Sequence, residues 1–189
     1  MRKIILGLAL MLMNAGFNQT IAQEAPAYTG MFNIAALYGN NETKFQVQTI
    51  HGVTYRGWFA GIGGAIDDYF QQSIPLFADV RKNILNRKNT PFIYADYGLN
   101  LVTKGVEETA SKTEMKPGIF YEAGAGYKAG LGKRLSLNIA AGFSAKTYEE
   151  NIYNKKYLPI PPYITDDWIL SKKENYTLQR FTMKVGLQF

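Results

Sequence analysis

The last nine residues, Phe181-Thr-Met-Lys-Val-Gly-Leu-Gln-Phe189, fix the kind of surface this chain has to cover. Phe181, Met183, Val185, Leu187 and Phe189 are apolar. Between them Thr182, Lys184 and Gln188 are polar and Gly186 is small. Successive side chains of a strand point to opposite faces, so this segment has one oily face and one wet face. A soluble sandwich gains little from an exposed terminal aromatic. A transmembrane barrel covers the oily face with lipid and seats the terminal ring at the membrane interface.

The same period of two recurs along the chain, and no apolar period of 3.6 is sustained. Leu135, Leu137, Ile139, Ala141, Phe143 and Ala145 alternate with Ser136, Asn138, Ala140, Gly142, Ser144 and Lys146. Before that run, Ile119, Tyr121, Ala123, Ala125, Tyr127, Ala129 and Leu131 oppose Glu122, Gly124, Gly126, Lys128 and Gly130. Three earlier runs behave alike: Ile93 to Leu101 against Asp96, Gly98 and Asn100; Ile74 to Ile84 against Asp79, Arg81 and Asn83; Trp58 to Ile66 against Phe59, Gly61, Gly63 and Ala65. Two less regular strands are expected near 28–39 and 43–55, the second with a bulge around His51-Gly52. With 176–189 the count is eight. Glycines fall on the polar face, where a narrow barrel has little room and strong curvature favours missing side chains. Small residues inside and large apolar ones outside reverse the arrangement of a soluble core, which points to lipid. The fold class expected is all-β, an eight-stranded antiparallel up-and-down transmembrane β-barrel.

Connection lengths alternate in the same sense. Tight turns are expected at Arg56-Gly57, Asn86–Asn89 and Gly132–Arg134, and longer external loops at 103–117 and 149–175. Short periplasmic turns with longer outer loops are the usual asymmetry of such barrels. The stretches Gly57-Trp-Phe-Ala-Gly-Ile-Gly-Gly64, Ser73-Ile-Pro-Leu-Phe-Ala-Asp-Val-Arg81 and Pro91-Phe-Ile-Tyr-Ala-Asp-Tyr-Gly98 resemble the family of small eight-stranded bacterial outer-membrane β-barrel proteins. The final strand is similar to the C-terminal signal strand of such proteins, with Phe189 as the terminal aromatic. The resemblance implies an outer-membrane location, contact with membrane lipid and lipopolysaccharide, and recognition of Phe189 by the barrel-assembly machinery. It transfers no catalytic residue, since the family is functionally diverse.

Residues 1–22 read as a secretory signal. Arg2 and Lys3 precede the apolar run Ile4–Met13, and Thr20-Ile-Ala22 offers small residues at a cleavage site. That run is half of what a membrane-spanning helix needs. Residues 23–189 are then one barrel domain. The chain has no cysteine, which removes disulfides, thiolate metal sites and cysteine nucleophiles together. Its net charge of +6 is scattered, without the basic stripe or reading motif of a nucleic-acid binder.

The candidate chemistry is sparse. His51 is the single histidine, so a multi-imidazole metal centre is impossible and a Ser-His-acid arrangement would have to use this residue. No serine stands near it in a matching motif. Asp67-Asp68 and Asp166-Asp167 read as solvated loop charges or weak calcium ligands rather than a catalytic dyad, and the glycine-rich stretches are followed by no helix that would make a phosphate loop. No cofactor is implied. Lys82 is discordant, since its phase turns it to lipid; its place near a turn lets the ammonium reach the head groups.

The inward phase is more informative. Asp79, Arg81, Asp96, Glu122, Lys128, Lys146, Arg180 and Lys184 would all enter one narrow lumen, where buried charges must pair or reach water. An ion-pair network filling the barrel is the reading favoured over a proton or ion path, because eight strands leave space mainly for side chains. Phe59, Phe77, Phe92 and Phe120 share that phase and would plug it. Outside, Tyr148, Tyr153, Tyr157, Tyr163 and Trp168, with Pro159, Pro161 and Pro162, make 149–175 an aromatic-rich loop suited either to an extracellular partner or to capping the mouth. The expected role is therefore non-enzymatic, structural or surface-interacting. The alternatives are a lipid-modifying enzyme with His51 as base, and a secreted lipocalin-like carrier.

Overall fold

A computed structural model describes residues 25–39, 42–68, 72–102, 106–107, 111–132, 134–157 and 164–189. The signal segment 1–22 lies outside them. Ten strands follow in order: β1 (Ala27–Gly39), β2 (Glu42–Tyr55), β3 (Trp58–Asp68), β4 (Gln72–Asn83), β5 (Thr90–Val102), β6 (Val106–Glu107), β7 (Ser111–Lys116), β8 (Gly118–Gly130), β9 (Ser136–Tyr157) and β10 (Ile164–Gln188). All pairings are antiparallel. Eight strands, β1-β2-β3-β4-β5-β8-β9-β10, pair in succession, and β10 returns to β1 through Met31↔Gln188 to Tyr38↔Phe181. The sheet has closed on itself, which removes its edges over that span.

Side-chain direction follows from the pleat. On β9 Ile139 and Phe143 face outward and stay half exposed, while Asn138, Ser144 and Lys146 between them are buried. Val185, Leu187 and Ile62 are likewise exposed, and Asp79, Asp96 and Glu122 are not. This inversion is what a wall facing acyl chains requires. A lipocalin-like carrier needs the opposite orientation, so the exposure of these apolar side chains sets that alternative aside.

Local chemistry places the turns. Tyr55-Arg56-Gly57-Trp58 is a two-residue hairpin with φ of 50° at Arg56 and 75° at Gly57, the primed geometry that matches strand twist. The β4–β5 connection is held by Ile84 N donating to Pro91 O and by Leu85 N donating to Thr90 Oγ1. Leu131 N and Gly132 N both donate to Leu135 O in the β8–β9 turn. The expected bulge at His51-Gly52 is absent. Both residues keep an unbroken register, His51 with Gly30 and Ile62, and Gly52 with Thr29 and Gly61.

The largest departure concerns the two outer segments. Residues 149–157 and 164–175 are not an irregular loop; they prolong β9 and β10 as a hairpin, and 111–116 add β7 beside β9. At about 3.3 Å per residue the 25 residues of β10 run roughly 80 Å, against an apolar band of about 25 Å. The strands therefore continue well beyond any membrane as a ribbon ordered β6-β7-β9-β10. Pro117 interrupts the path between β7 and β8, and the pairing with β9 slips by one residue across it. Proline lacks the donor a ladder needs, so the break falls there. Pro159, Pro161, Pro162 and Tyr163 lie outside the described residues.

Candidate functional site: a charge-compensated lumen

Inward-facing residues reach the lumen because positions two apart on a strand share a face. Asp79 and Arg81 on β4 are such a pair: Arg81 Nε donates to Asp79 Oδ1 at 2.9 Å and Nη2 to Oδ2 at 2.7 Å, a bidentate fork. Across the lumen Lys184 on β10 contacts two carboxylates, Glu122 Oε1 at 2.9 Å and Asp96 Oδ2 at 3.5 Å, and donates to Gln48 Oε1 at 3.3 Å. Glu122 Oε1 also accepts from the Tyr94 hydroxyl at 2.6 Å and from Thr182 Oγ1 at 2.9 Å. The hub is thus a carboxylate held by an ammonium and two hydroxyls.

A second ionic layer lies nearer the ribbon. Lys146 bonds Asp67, whose carboxylate also accepts from Gln46 Nε2 at 2.9 Å and Ser73 Oγ at 2.8 Å. Asp67 is therefore not a solvated loop charge but one of the most buried acids in the chain, 3% exposed. The β3 alternation contains the reason: Phe59, Gly61, Gly63 and Ala65 point inward, and Asp67 continues their phase. Arg180 reaches past it to the Gly39 and Glu42 carbonyls at 3.4 and 3.3 Å.

Of the eight charged residues placed in the lumen from sequence, seven are buried: Asp79, Arg81, Asp96, Glu122, Lys146, Arg180 and Lys184. Lys128 is not brought into the network. It shares the inward phase but stands half-buried near the turn end of β8, opposite Asn138. Exchanging Lys128 for Asp67 changes the balance. Three acids against five bases become four against four, Asp67, Asp79, Asp96 and Glu122 facing Arg81, Lys146, Arg180 and Lys184. Buried charge of one sign alone is very costly, and among the described buried residues the two signs balance.

Aromatic rings separate the two ionic layers. Along β4 the inward order is Ser73, Pro75, Phe77, Asp79, Arg81, so Phe77 stands between them. It packs on Phe120 at 5.3 Å between ring centroids. Met31, Ile50, Phe59 and Ala65 complete this apolar cluster. Lys146 lies 5.6 Å over Phe120, Arg81 5.7 Å over Phe92, and Lys184 4.9 Å over Tyr94. The glycines opposite make room for the rings: a Cβ at Gly63 would stand 2.6 Å from Phe77. At the turn end a cavity beside Phe59, Arg81 and Asn138 measures about 10 Å³, room for at most about one water. On the ribbon side Tyr148 and Tyr176 stack at 4.8 Å, with Tyr148 buried and not displayed in a loop as expected.

The outer wall holds the remaining singled-out residues. His51 faces outward, with Tyr28 Oη 2.6 Å from Nδ1 and Thr49 Oγ1 3.0 Å from Nε2. Both ring nitrogens are taken, neither by a serine nor by a carboxylate. Lys82 folds back over Trp58 at 4.8 Å and donates to Arg56 O at 3.4 Å, which draws its charge to the turn level. Phe189 closes the seam: Gly30 N donates to Phe189 O at 2.8 Å and Phe189 N to Gly30 O at 2.9 Å. Its ring lies on Gly30, where a Cβ would meet Cε2 at 2.6 Å.

The crystal structure of Neisserial surface protein A matches with a TM-score of 0.54 at 12% identity, over 87% of this chain and 98% of that one. The fold is that of a small outer-membrane β-barrel. Outer membrane protein AlkL, solved by solid-state NMR in DMPC lipid bilayers, has a TM-score of 0.45 at 10% identity, over 91% of this chain and 93% of that one. OprG from Pseudomonas aeruginosa has 0.45 at 9% identity, over 85% of this chain and 94% of that one. No protein-family model and no curated protein matches the sequence.

Proposed function

We propose that this chain is a non-enzymatic outer-membrane barrel whose plugged lumen serves as a scaffold and whose ribbon presents a surface outside the cell. The observation that carries this reading is the disparity between the two ends. One ends in tight hairpins at 56–57, 84–89 and 131–135, while β7, β9 and β10 extend far past the band at the other. Compensated charges and packed aromatic rings fill the interior, which leaves the ribbon as the part free to meet a partner. Ile169 and Leu170 are half exposed on it, and Trp168 lies under Lys155 at 5.2 Å. Export by the signal at 1–22, recognition of Phe189 by the barrel-assembly machinery and contact with lipopolysaccharide at the ribbon's base belong to the same proposal.

The absence of native cysteine makes the topology directly testable. Lys173→Cys is expected to react with a membrane-impermeant maleimide on intact cells, and Gly132→Cys only after the outer membrane is opened. Labelling in the reverse order, or of both positions on intact cells, overturns the orientation. The enzymatic alternative predicts that His51→Ala changes extracted lipid A by mass spectrometry. An unchanged pattern is expected here.

A further inference from the structure

Among the described residues the outer wall is apolar through most of its height, and one interruption lies away from the turn level that holds Lys82. Thr49 and His51 stand on it side by side, joined to Tyr28, five residues and more from the Arg56–Gly57 turn. For a strand tilted about 40°, His51 lies roughly 13 Å from the turn along the barrel axis, and Tyr28, level with Val53, roughly 8 Å. A hydrogen-bonding cluster at that depth is costly unless satisfied, and such residues commonly mark sites.

Beside it the wall is indented. A furrow of about 520 Å³ runs across β2 to β5, with Thr49 and His51 on one bank and Tyr97 and Leu99 on the other. Its floor is low because Gly64 and Ala78 stand where neighbouring outward positions carry Ile62 and Leu76. Register explains the shape. His51, Ile62, Ala78 and Tyr97 form one rung across four strands, and Thr49, Gly64, Leu76 and Leu99 the next.

From this geometry we infer that the furrow is a binding site for one glycerophospholipid of the periplasmic leaflet, its acyl chain in the furrow and an ester or phosphate oxygen at the Tyr28–His51–Thr49 cluster. The inference rests on the barrel standing in a membrane as proposed above. The occupant follows from two properties of the site. The furrow faces the acyl phase and is lined by hydrocarbon, so it takes a chain. The cluster selects what that chain is attached to. When Nε2–H of His51 donates to Thr49 and Thr49 to the Met31 carbonyl, Tyr28 must donate to Nδ1, and every donor is used internally. In the other tautomer Nδ1–H donates to Tyr28, and the phenol O–H is released outward. Tyr28 pairs with Val53, two residues nearer the turn than His51, so the residue that carries the freed donor stands on the head-group side of the furrow. A ligand that engages it needs an acceptor oxygen at the head of an apolar chain. Lipid esters and phosphates supply that oxygen; plain hydrocarbon does not.

The test uses the full-length barrel in liposomes of phosphatidylethanolamine and phosphatidylglycerol. These carry a small fraction of phosphatidylethanolamine with a photoreactive diazirine in its chain, and cross-linked residues are mapped by mass spectrometry. Labelling is expected to concentrate at 62–64, 76–78 and 97–99 over the opposite wall at 139–143 and 183–187. Gly64→Leu, which fills the furrow, is expected to bring those positions down to the opposite-wall level. Tyr28→Phe keeps the wall covered while removing the donor, and is expected to lower furrow labelling roughly two- to tenfold, the factor one hydrogen bond contributes. A heat-modifiable gel shift checks that each variant is a folded barrel, and a variant that fails it is replaced by Ala78→Leu, which fills the same floor from β4. Even labelling around the wall, unchanged by Gly64→Leu, means annular lipid only and overturns the site. Cross-links between copies that exclude lipid from the furrow mean a second chain is its occupant and also overturn it. Labelling on no wall at all overturns the membrane reading itself.

Discussion

Arg56 occupies a conformation that L residues with a Cβ adopt at a cost of about 1–2 kcal/mol, with φ of 50° in a turn whose geometry the hairpin demands. Asparagine tolerates that region and is favoured in primed turns. Arg56→Asn should therefore raise the urea midpoint of the refolded barrel in detergent, an increase of about 1 kcal/mol read by tryptophan fluorescence. No change would mean that the guanidinium over the Tyr55 ring, 5.0 Å away, offsets the strain. The seam carries the opposite demand. Gly30 lies in an outward phase yet is buried, because the Phe189 ring occupies the place of its side chain. Gly30→Val should displace the ring and lower the heat-modifiable fraction in the membrane, and Phe189→Ala should relieve that clash without restoring assembly. Asp67 argues at the same scale. Asp67→Asn leaves Lys146 buried without its counter-charge and is expected to cost about 3–5 kcal/mol; Asp67→Leu with Lys146→Met should recover most of that. Equal losses in the single and double variants would show that the pair is not coupled.

The eight barrel strands were legible because side-chain direction in a strand has a strict period of two, and one wall is almost wholly apolar. Ile119 to Leu131 and Leu135 to Phe143 needed no further context. The ribbon was not legible, for a physical reason. Both of its faces meet water, so Glu149 to Lys156 and Lys172 to Tyr176 have no apolar face to betray a strand, and their Lys, Glu and Asn read as a loop. What holds the ribbon is charge across strands. Glu149 on β9 takes Lys173 of β10 at 2.8 Å and Lys116 of β7 at 3.3 Å, while Lys172 and Glu174 pair along β10 itself at 2.5 Å. The hydrogen bond from Lys173 and then that from Lys116 hold the Glu149 carboxyl below its usual range; Lys172 and Tyr176 do so for Glu174. A depressed carboxyl stabilises the folded form above its unfolded pKa of about 4.3 and loses that contribution as pH falls through the folded value. Amide exchange at 149–156 and 167–176 should accordingly accelerate below about pH 4 once corrected for intrinsic rates, while 137–145 stay protected. Protection lost at neutral pH in high salt but retained in acid would contradict this.

At the scale of the whole molecule the question is whether a ring of eight strands leaves a passage. Backbone closure alone does not decide it, since a lumen can be wet or filled. Here the fill has an order along the axis: the Asp79–Arg81 fork and the Glu122–Lys184–Asp96 hub, then Phe77 on Phe120, then Lys146 on Asp67. An ion crossing this sequence must break a bidentate pair, pass between two packed, tilted rings and displace a second pair, each in surroundings where an unpaired charge costs several kcal/mol. Charge neutrality removes the attraction that a single-sign ring would offer either ion. The intact barrel should therefore give no resolvable unitary conductance in planar bilayers. Phe77→Ala with Phe120→Ala removes the apolar barrier while leaving every ion pair in place, and should introduce a leak in barrels that still show the heat-modifiable shift. The residual current should favour neither cations nor anions, because four acids still face four bases. Steady conductance by the unaltered barrel would mean that the pairs open readily, and the interior would then be a path and not a plug.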